Sequence, residues 1–491
     1  METFQKISSK PSICYLNPIS LSPDRLDASY YAPEFLEAAN EITWSYLKSR
    51  TLASISSKLN CGATPKLVVY KADGLPLVRT SNVRPNIYNE EGVLFVHGRS
   101  LSESSNLAIS PGDVLYTMSG TIGYATVYPF HAGLASFSNT IARARIDEGD
   151  PYYVALFLNS RLGMSQSMRF VSGGVLAHVM PTSVKKIKIL SPVKEIQHAI
   201  GNKVRKAERL RELAADDNRN LENTLVSILG VPDENLASTK VFWTETEFLS
   251  ANRINASEYH PHTLQAEYQI AHSFNGQRLA KVMVSRSDLS GGATPSGAEY
   301  PVTGIAFLRV QNVQPNRLDL SDAVYIDDQT NHELRRSIVR ENDILLTITG
   351  NPGSACCVQK RDLPLNINQH CVRFHVSEEW NPFYVAAFIN CPWGKLQVTR
   401  RSIGGTRDAL DYPSVLSLLI PTIPREQQDQ IGNLAKSYAD ALTESGHLIE
   451  AAKADVEALI SNTLDLESLQ TESAAIEAWL SANPSPAAQK N

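Results

Sequence analysis

The chain has 491 residues, too many for one ordinary core and suited to two to four domains. Its 43% hydrophobic and 20% charged residues mark a globular protein and exclude wholesale disorder, and no apolar run approaches the roughly 20 residues that span a bilayer. The net charge of −5 argues against a polyanion as partner, but the charges are unevenly placed: 151–194 and 380–407 hold no Asp or Glu, while acids collect between Asp440 and Glu477.

Residues 1–23 begin METFQKISSK, without the apolar stretch of a secretory leader, and read as an extension of unassigned role. At 24–33 stands DRLDASYYAP. Strand candidates follow at 67–70, 92–96, 113–118 and 137–146, alternating in polarity and bounded by Gly, Pro, Asn and Asp. Among them lie VRTSNVRPN (78–86) and GDVLYTMSGTIGYA (112–125). PYYVALFLNSRLG (151–163) predicts a helix, SGG follows at 172–174, and a long helix is predicted from about Lys194 to Leu229.

After a linker at 230–251 the same order returns. NRINASEYHP (252–261) repeats DRLDASYYAP at an offset of 228, and ATP at 293–295 repeats 63–65 at 230. LRVQNVQPN (308–316) and NDILLTITGNPGSA (342–355) also return at 230. Strand candidates lie at 323–328, 343–349 and 368–376, and a helix at PFYVAAFINCPWG (382–394). IGG at 403–405 and EQQDQIGN at 426–433 answer SGG and EIQHAIGN (195–202), and a second long helix runs from about Arg425. Matches in one order at nearly one offset mean a duplicated domain of about 200 residues.

Each long helix carries a narrow apolar stripe. Ile196, Ile200, Val204, Ala207, Leu210, Leu221, Leu225 and Ile228 form the first; Ile431, Leu434, Tyr438, Leu442, Leu448, Ala452, Val456 and Leu459 form the second. The simplest solution is that they pack on each other, antiparallel and related by a pseudo-two-fold; the ordinary alternative is two surface helices, each on its own domain. The expected fold is α+β: two duplicated mixed α/β domains joined by two long antiparallel coiled-coil helices, pseudo-two-fold symmetric. The partition is 1–23, a first domain at 24–192, a first helix at 193–229, a linker at 230–251, a second domain at 252–424, a second helix at 425–463 and a tail at 464–491. The cysteines, Cys14, Cys61, Cys356, Cys357, Cys371 and Cys391, have no C-x-x-C spacing and read as reduced cytosolic thiols, without a metal or cofactor site.

Globular unit, long helix, globular unit, long helix, with GDVLYTMSGTIG or NDILLTITGNPG, then a Gly-Gly loop, then SPVKEIQ or IPREQQ opening the helix, resembles the DNA-specificity subunit of type I restriction–modification systems. The resemblance covers about 24–230 and 252–463; the first helix departs from the family pattern by opening with VKEIQ. It implies two target recognition domains, each reading one half of a bipartite double-stranded DNA target. It also implies that the helices set the half-site gap and dock methyltransferase subunits, expected to be two, with restriction or translocase subunits as further partners. Neither a cofactor nor a membrane is implied. A helix of about 36 residues rises about 54 Å, or roughly 16 base pairs of B-DNA, an upper bound on the gap. Because the two copies have diverged in their loops, the target should be asymmetric.

The expected DNA contacts lie first around the Gly-Gly loops: Arg169, Ser172, Gly173, Gly174 and His178 in one copy, and Arg400, Arg401, Gly404, Gly405, Thr406 and Arg407 in the other. Glycine lets the backbone come close to a groove, Arg reads guanine, and hydroxyls suit phosphate. The ordinary alternative is a solvated basic loop. Arg79 and Arg84, with Arg309, Gln311 and Gln314, form a second set, since Arg and Gln read purine edges. Asn82 and Asn312 occur in both copies and read as turn-forming residues; positions that differ, such as Arg84 and Gln314, suit specificity. Ser119–Gly123 and Thr349–Gly353 form a second Gly turn in each copy, either a phosphate site or a plain hairpin.

NPFY at 381–384 comes near the motif of amino-methyltransferases, but DPYY at 150–153 answers it, and Asn or Asp before Pro is an ordinary helix cap. Asp113 and Asp343 read as turn-fixing carboxylates. The expectation is therefore a non-catalytic reader. The alternatives are a self-contained DNA methyltransferase, a protein-binding scaffold, and the recognition subunit of another phage-defence system.

Overall fold

The computed structural model describes residues 25, 27–63, 70–96, 108–172, 177–243, 256–295, 300–404 and 408–485. Residues 1–23 and most of the strand candidate at 67–70 lie outside them. The chain forms two compact units: Met1–Leu210 with Glu444–Asn491, and Arg211–Thr443. Each unit thus takes in one half of each long helix.

In unit 1 a four-stranded antiparallel sheet places Ser56–Cys61, Ile141–Ile146, Val114–Thr117 and Ala125–Val127 side by side. A second sheet orders Leu94–Val96, Tyr70–Val78, Ala135–Phe137 and Ala108–Ile109, with one parallel pair, Ser136 opposite Leu77. Unit 2 repeats this. Its first sheet holds Ser290–Gly291, Cys371–Phe374, Ile344–Thr347 and Ala355–Cys357. Its second orders Val324–Ile326, Ile305–Leu308 and Leu365–Ile367, again with a parallel pair, Ala306 opposite Leu365. The candidate at 137–146 divides between two sheets because Ser138–Thr140 turn the chain.

Strand alternation feeds two cores. In unit 2, Ile344 and Leu346 face the helix Pro382–Asn390 and the long-helix residues Leu221, Leu225 and Ile431. Leu345 faces the second sheet with Leu308, Leu365 and Cys371. The five described cysteines are free thiols, and burial pushes Cys371 up to about 12.

The helices predicted at 151–163 and 382–394 each divide in two, Pro151–Asn159 with Arg161–Arg169, and Pro382–Asn390 with Pro392–Arg401. The sharp corner brings Gly163 and Gly394 onto the preceding helix end: a Cβ there would meet the Phe157 carbonyl at 2.2 Å or the Phe388 carbonyl at 2.3 Å. The helix-cap reading of DPYY and NPFY holds. Asp150 Oδ1 accepts the Tyr152 amide at 2.9 Å, and Asn381 Oδ1 the Phe383 amide at 3.0 Å.

The long helices are Lys194–Leu229 and Arg425–Ile460, 36 residues each. Within unit 1 they run antiparallel: Lys203 Nζ meets Asp455 at 2.7 Å, and Ser445 Oγ donates to the Ala207 carbonyl at 2.9 Å. Within unit 2, Ser437 Oγ donates to Asp217 at 2.6 Å, and Leu221, Leu225 and Leu229 share a core with Ile431 and Ala435. The buried seam of the second helix takes Ala435, Ala439 and Ser445, while Tyr438 and Leu442 are half-buried.

The tail contains a further helix, Leu466–Ala482. It packs in unit 1 on the first long helix, where Asn202 donates to Ser473 Oγ at 3.0 Å and Arg209 to the Asn483 carbonyl at 3.0 Å. Among the described residues no helix is long and apolar enough to cross a membrane.

Candidate nucleic-acid interface

In each unit four segments converge on one end of the first sheet. The centre is the turn joining its two hairpin strands, 118–124 in unit 1 and 348–354 in unit 2. Thr117 Oγ1 accepts the Tyr124 amide at 3.0 Å and closes the turn; Thr347 Oγ1 does the same for Ser354 at 3.0 Å. Gly120 and Gly123 have φ of +74° and +88°, Gly350 and Gly353 of +88° and +104°, a backbone that favours glycine.

On one flank stands the hairpin Val83–Arg84 with Ile87–Tyr88, answered by Val313–Gln314 with Arg317–Leu318. Its tip residues Asn86 and Asn316 have φ of 62° and 63°, and their amides donate to Ala125 at 2.9 Å and Ala355 at 2.8 Å. The Asn159 amide nitrogen donates to Asn86 Oδ1 at 2.7 Å, as Asn390 does to Asn316 at 2.7 Å. Two side-chain amides in each unit therefore fix the hairpin against the turn, both buried in unit 2 and Asn159 half-buried in unit 1.

On the other flank, Val171–Ser172 pairs with His178–Val179, and the Val179 amide donates to the Met118 carbonyl at 2.9 Å. In unit 2 the Leu410 amide donates to Ile348 at 2.8 Å, and Thr349–Gly350 pairs with Asp408–Ala409. The turn at 138–140 is the fourth segment: Thr140 and His370 accept the Met118 and Ile348 amides at 2.8 and 2.9 Å. Sequence reasoning did not single out this turn; FSNT (137–140) and NQH (368–370) lie inside strand candidates and hide it.

The expected contacts divide sharply. Arg84 is exposed on its hairpin, with no side-chain partner among the described residues. Gln314 donates to the Gln311 carbonyl at 2.7 Å, and the Gln311 amide lies between Asp322 and the Arg309 guanidinium. Ser172 Oγ donates to the His178 carbonyl at 3.2 Å, and His178 Nδ1 shares a hydrogen bond with Ser119 Oγ, so two of the candidate regions meet. Gly404 lies in the described part of its loop, with φ of 154°. Gly173, Gly174, Gly405, Thr406 and Arg407 lie outside the described residues.

Five arginines correct the expectation of free basic loops. Arg79 donates to the Gly92 carbonyl at 2.8 Å and Arg309 to the Asp322 carbonyl at 2.6 Å. Asn82 and Asn312 are fully buried and accept the Arg79 and Arg309 amides at 3.0 and 2.8 Å, the turn-forming role expected of them. Arg169 ends a helix, lies 4.2 Å over the Tyr30 ring and donates to the Tyr30 carbonyl at 3.1 Å. Arg400 donates to the Glu258 carbonyl at 2.9 Å and pairs with Glu267. Arg401 is 8% exposed, pairs with Glu267 and donates to Ser417 Oγ at 2.7 Å. A buried guanidinium needs its donors satisfied internally, and the hydrogen bonds of Arg401 do this, whereas the buried Nε of Arg79 has no partner among the described residues.

The same contacts involve the motif at 24–33; residues 252–255 of its repeat lie outside the described residues. Tyr30 lies under Arg25 as well as Arg169, and Arg25 donates to the Val171 carbonyl at 2.9 Å, bracing the strand that leads into the loop. The Arg25 guanidinium beside Asp27 holds that carboxyl well below the usual range. Asp113 and Asp343, buried beside Arg143 and Arg373, accept the Ser110 and Arg340 amides at 2.8 Å each, so they fix turns. Among the described residues no group of three or more His, Cys, Asp or Glu could hold a metal ion.

No family model matches the chain. Over 145 residues it is 26% identical to the type I restriction enzyme EcoBI specificity subunit of Escherichia coli, a match covering 28% of this chain and 30% of that relative. The S subunit of a type I restriction–modification system from M. genitalium aligns at a TM-score of 0.48 and 10% identity, covering 86% of this chain and 97% of that one. The HsdS subunit from Thermoanaerobacter tengcongensis aligns at 0.29 and 15%, covering 86% and 98%. The duplicated chain is similar in sequence to the specificity subunit of a type I restriction enzyme.

Proposed function

We propose that the chain is the DNA-reading subunit of a type I restriction–modification complex and carries no catalytic step itself. Each unit meets one half of an asymmetric bipartite target through the four segments at its sheet end. The long helices hold the gap between half-sites and dock two methyltransferase subunits, with restriction or translocase subunits joining the assembly in the cytoplasm. S-adenosylmethionine and ATP belong to those partners.

One observation carries this reading. The two units build the same four-segment surface with the same asparagine pair, yet differ in the groups it carries: Arg84 against Gln314, Ser119 against Thr349, Asn139 against Gln369. A shared frame with divergent groups suits two readers of unlike sequences.

The test is to map methylated bases in cells carrying this chain and its methyltransferase subunit. The expected result is one split, non-palindromic motif that disappears when this chain is deleted. Methylation that persists without the chain overturns the reading. Micromolar binding of S-adenosylmethionine by the isolated chain favours a self-contained methyltransferase.

A further inference from the structure

The two units differ most in chemistry where the loop strand meets the central turn. In unit 2, Gly350 stands opposite Asp408, and Ile403 exchanges both backbone hydrogen bonds with Ala409, at 2.8 and 2.9 Å. Asp408 is exposed, without a side-chain partner among the described residues, and Ile403 is 50% exposed. A Cβ on Gly350 would meet nothing within 4 Å among the described residues. The matching amides of Val179 and Leu410 align the units, and place Ala177 and Ser172 where unit 2 has Asp408 and Ile403. The acid follows a stretch, 380–407, that contains none.

Neither group suits a phosphate. A carboxylate in contact with the backbone is repelled well inside the Debye length of about 8 Å, and an isoleucine offers no donor. On a surface that meets DNA, both fit base edges. In the major groove the donors are the amino groups of cytosine (N4) and adenine (N6), and the thymine methyl, which an aliphatic chain can cover, lies in that groove alone. Resting on the function proposed above, we infer that Asp408 is a specificity determinant of unit 2. It accepts a hydrogen bond from the exocyclic amine of a cytosine or adenine, while Ile403 covers a neighbouring thymine methyl. Unit 1, with Ala177 and Ser172 at these positions, does not make this reading.

The test is selection of binding sites from random duplexes by the full-length chain. The unaltered chain should fix one column of one half-site as cytosine or adenine. Asp408→Ala should make that column degenerate and leave the other half-site intact, which also reports that the variant is folded. Deleting the amine from the selected duplex, with 2-pyrimidinone for cytosine or purine for adenine, should weaken the unaltered chain about tenfold and say which base is read. An unchanged motif for Asp408→Ala, or an amine deletion without effect, overturns the inference. The base-analogue arm needs no variant, so it decides the matter even if Asp408→Ala does not fold. Absence of any split motif from the unaltered chain sinks the functional reading and this inference together. A split motif without the amine dependence sinks the inference alone.

Discussion

Gln428 Oε1 accepts the backbone amide of Asn381 at 3.0 Å, which ties the start of the second long helix to the start of the helix Pro382–Asn390. Its Nε2 donates to the Ile423 carbonyl at 3.1 Å. Gln197 repeats both bonds in unit 1, to the Asp150 amide at 3.1 Å and the Pro192 carbonyl at 2.8 Å. This is the glutamine that VKEIQ and PREQQ share, so the first helix, which has Ile196 where the second has Gln427, keeps the buried residue in place.

Gln428→Leu would strand two backbone groups at a site only 4% exposed. Each costs about 1–3 kcal/mol when left unpaired, so the expected loss is about 2–4 kcal/mol. Urea unfolding would show a lower midpoint with an unchanged slope. A shift under about 0.5 kcal/mol would mean that water replaces the glutamine.

Lys203 is a buried charge between the long helices. Its ammonium lies 2.7 Å from Asp455 and 2.8 Å from Glu472, joining the two long helices and the tail helix within unit 1. Lys203→Met leaves Asp455, whose side chain is 17% exposed, without its cation, and should cost about 3 kcal/mol. Lys203→Met with Asp455→Leu should recover most of it. Burial already raises the Asp455 carboxyl above its usual value. A carboxyl with a raised folded pKa gains folded-state stability as pH falls through that value toward about 4. The deficit of Lys203→Met should therefore shrink on acidification from pH 7 to pH 4. A deficit independent of pH would place its cause in packing.

Asp27 behaves in the opposite sense. Hydrogen bonding to Arg25, at 2.6 and 2.8 Å, depresses its carboxyl, so its contribution is present above the unfolded value near 4 and is lost as pH falls below it. Thermal unfolding of Asp27→Asn and the unaltered chain should differ at pH 6 and draw steadily closer as pH falls from about 4 toward 2. Parallel curves across that range would mean that Asp27 does not hold Arg25 against the loop strand.

Much of the frame was legible because duplication prints the same constraint twice. The long helices, the caps at Asp150 and Asn381 and the turn asparagines each follow from local rules visible in both copies. The division of charges was not legible. Arg400 and Arg401 sit in an acid-free stretch, but Glu267, which neutralises them, lies more than 130 residues away on another helix. Sequence spacing carries no record of such a long-range pair. The tail helix was legible in part: Leu469 and Ile476 recur seven apart and are both buried, while its polar partners Asn202, Lys203 and Arg209 lie more than 250 residues away in sequence and left no mark on the pattern.

This division changes what an arginine scan should show. Arg401→Ala removes a buried guanidinium from Glu267 and from Ser417, whose carbonyl it also meets at 3.2 Å, so unit 2 should lose about 3 kcal/mol. Arg84, exposed and unpaired among the described residues, should cost less than about 0.5 kcal/mol when replaced by Ala. DNA binding should sort them the other way. Arg84→Ala should either lower the salt slope by about 1, if it meets a phosphate, or relax one base position, if it meets guanine. Arg401→Ala, measured on its folded fraction, should keep the slope of the unaltered chain, because a cation already neutralised by Glu267 releases no counterion from DNA. If Arg401→Ala instead lowers the slope without loss of stability, Glu267 gives up this arginine on binding, and the buried pair belongs to the free protein alone.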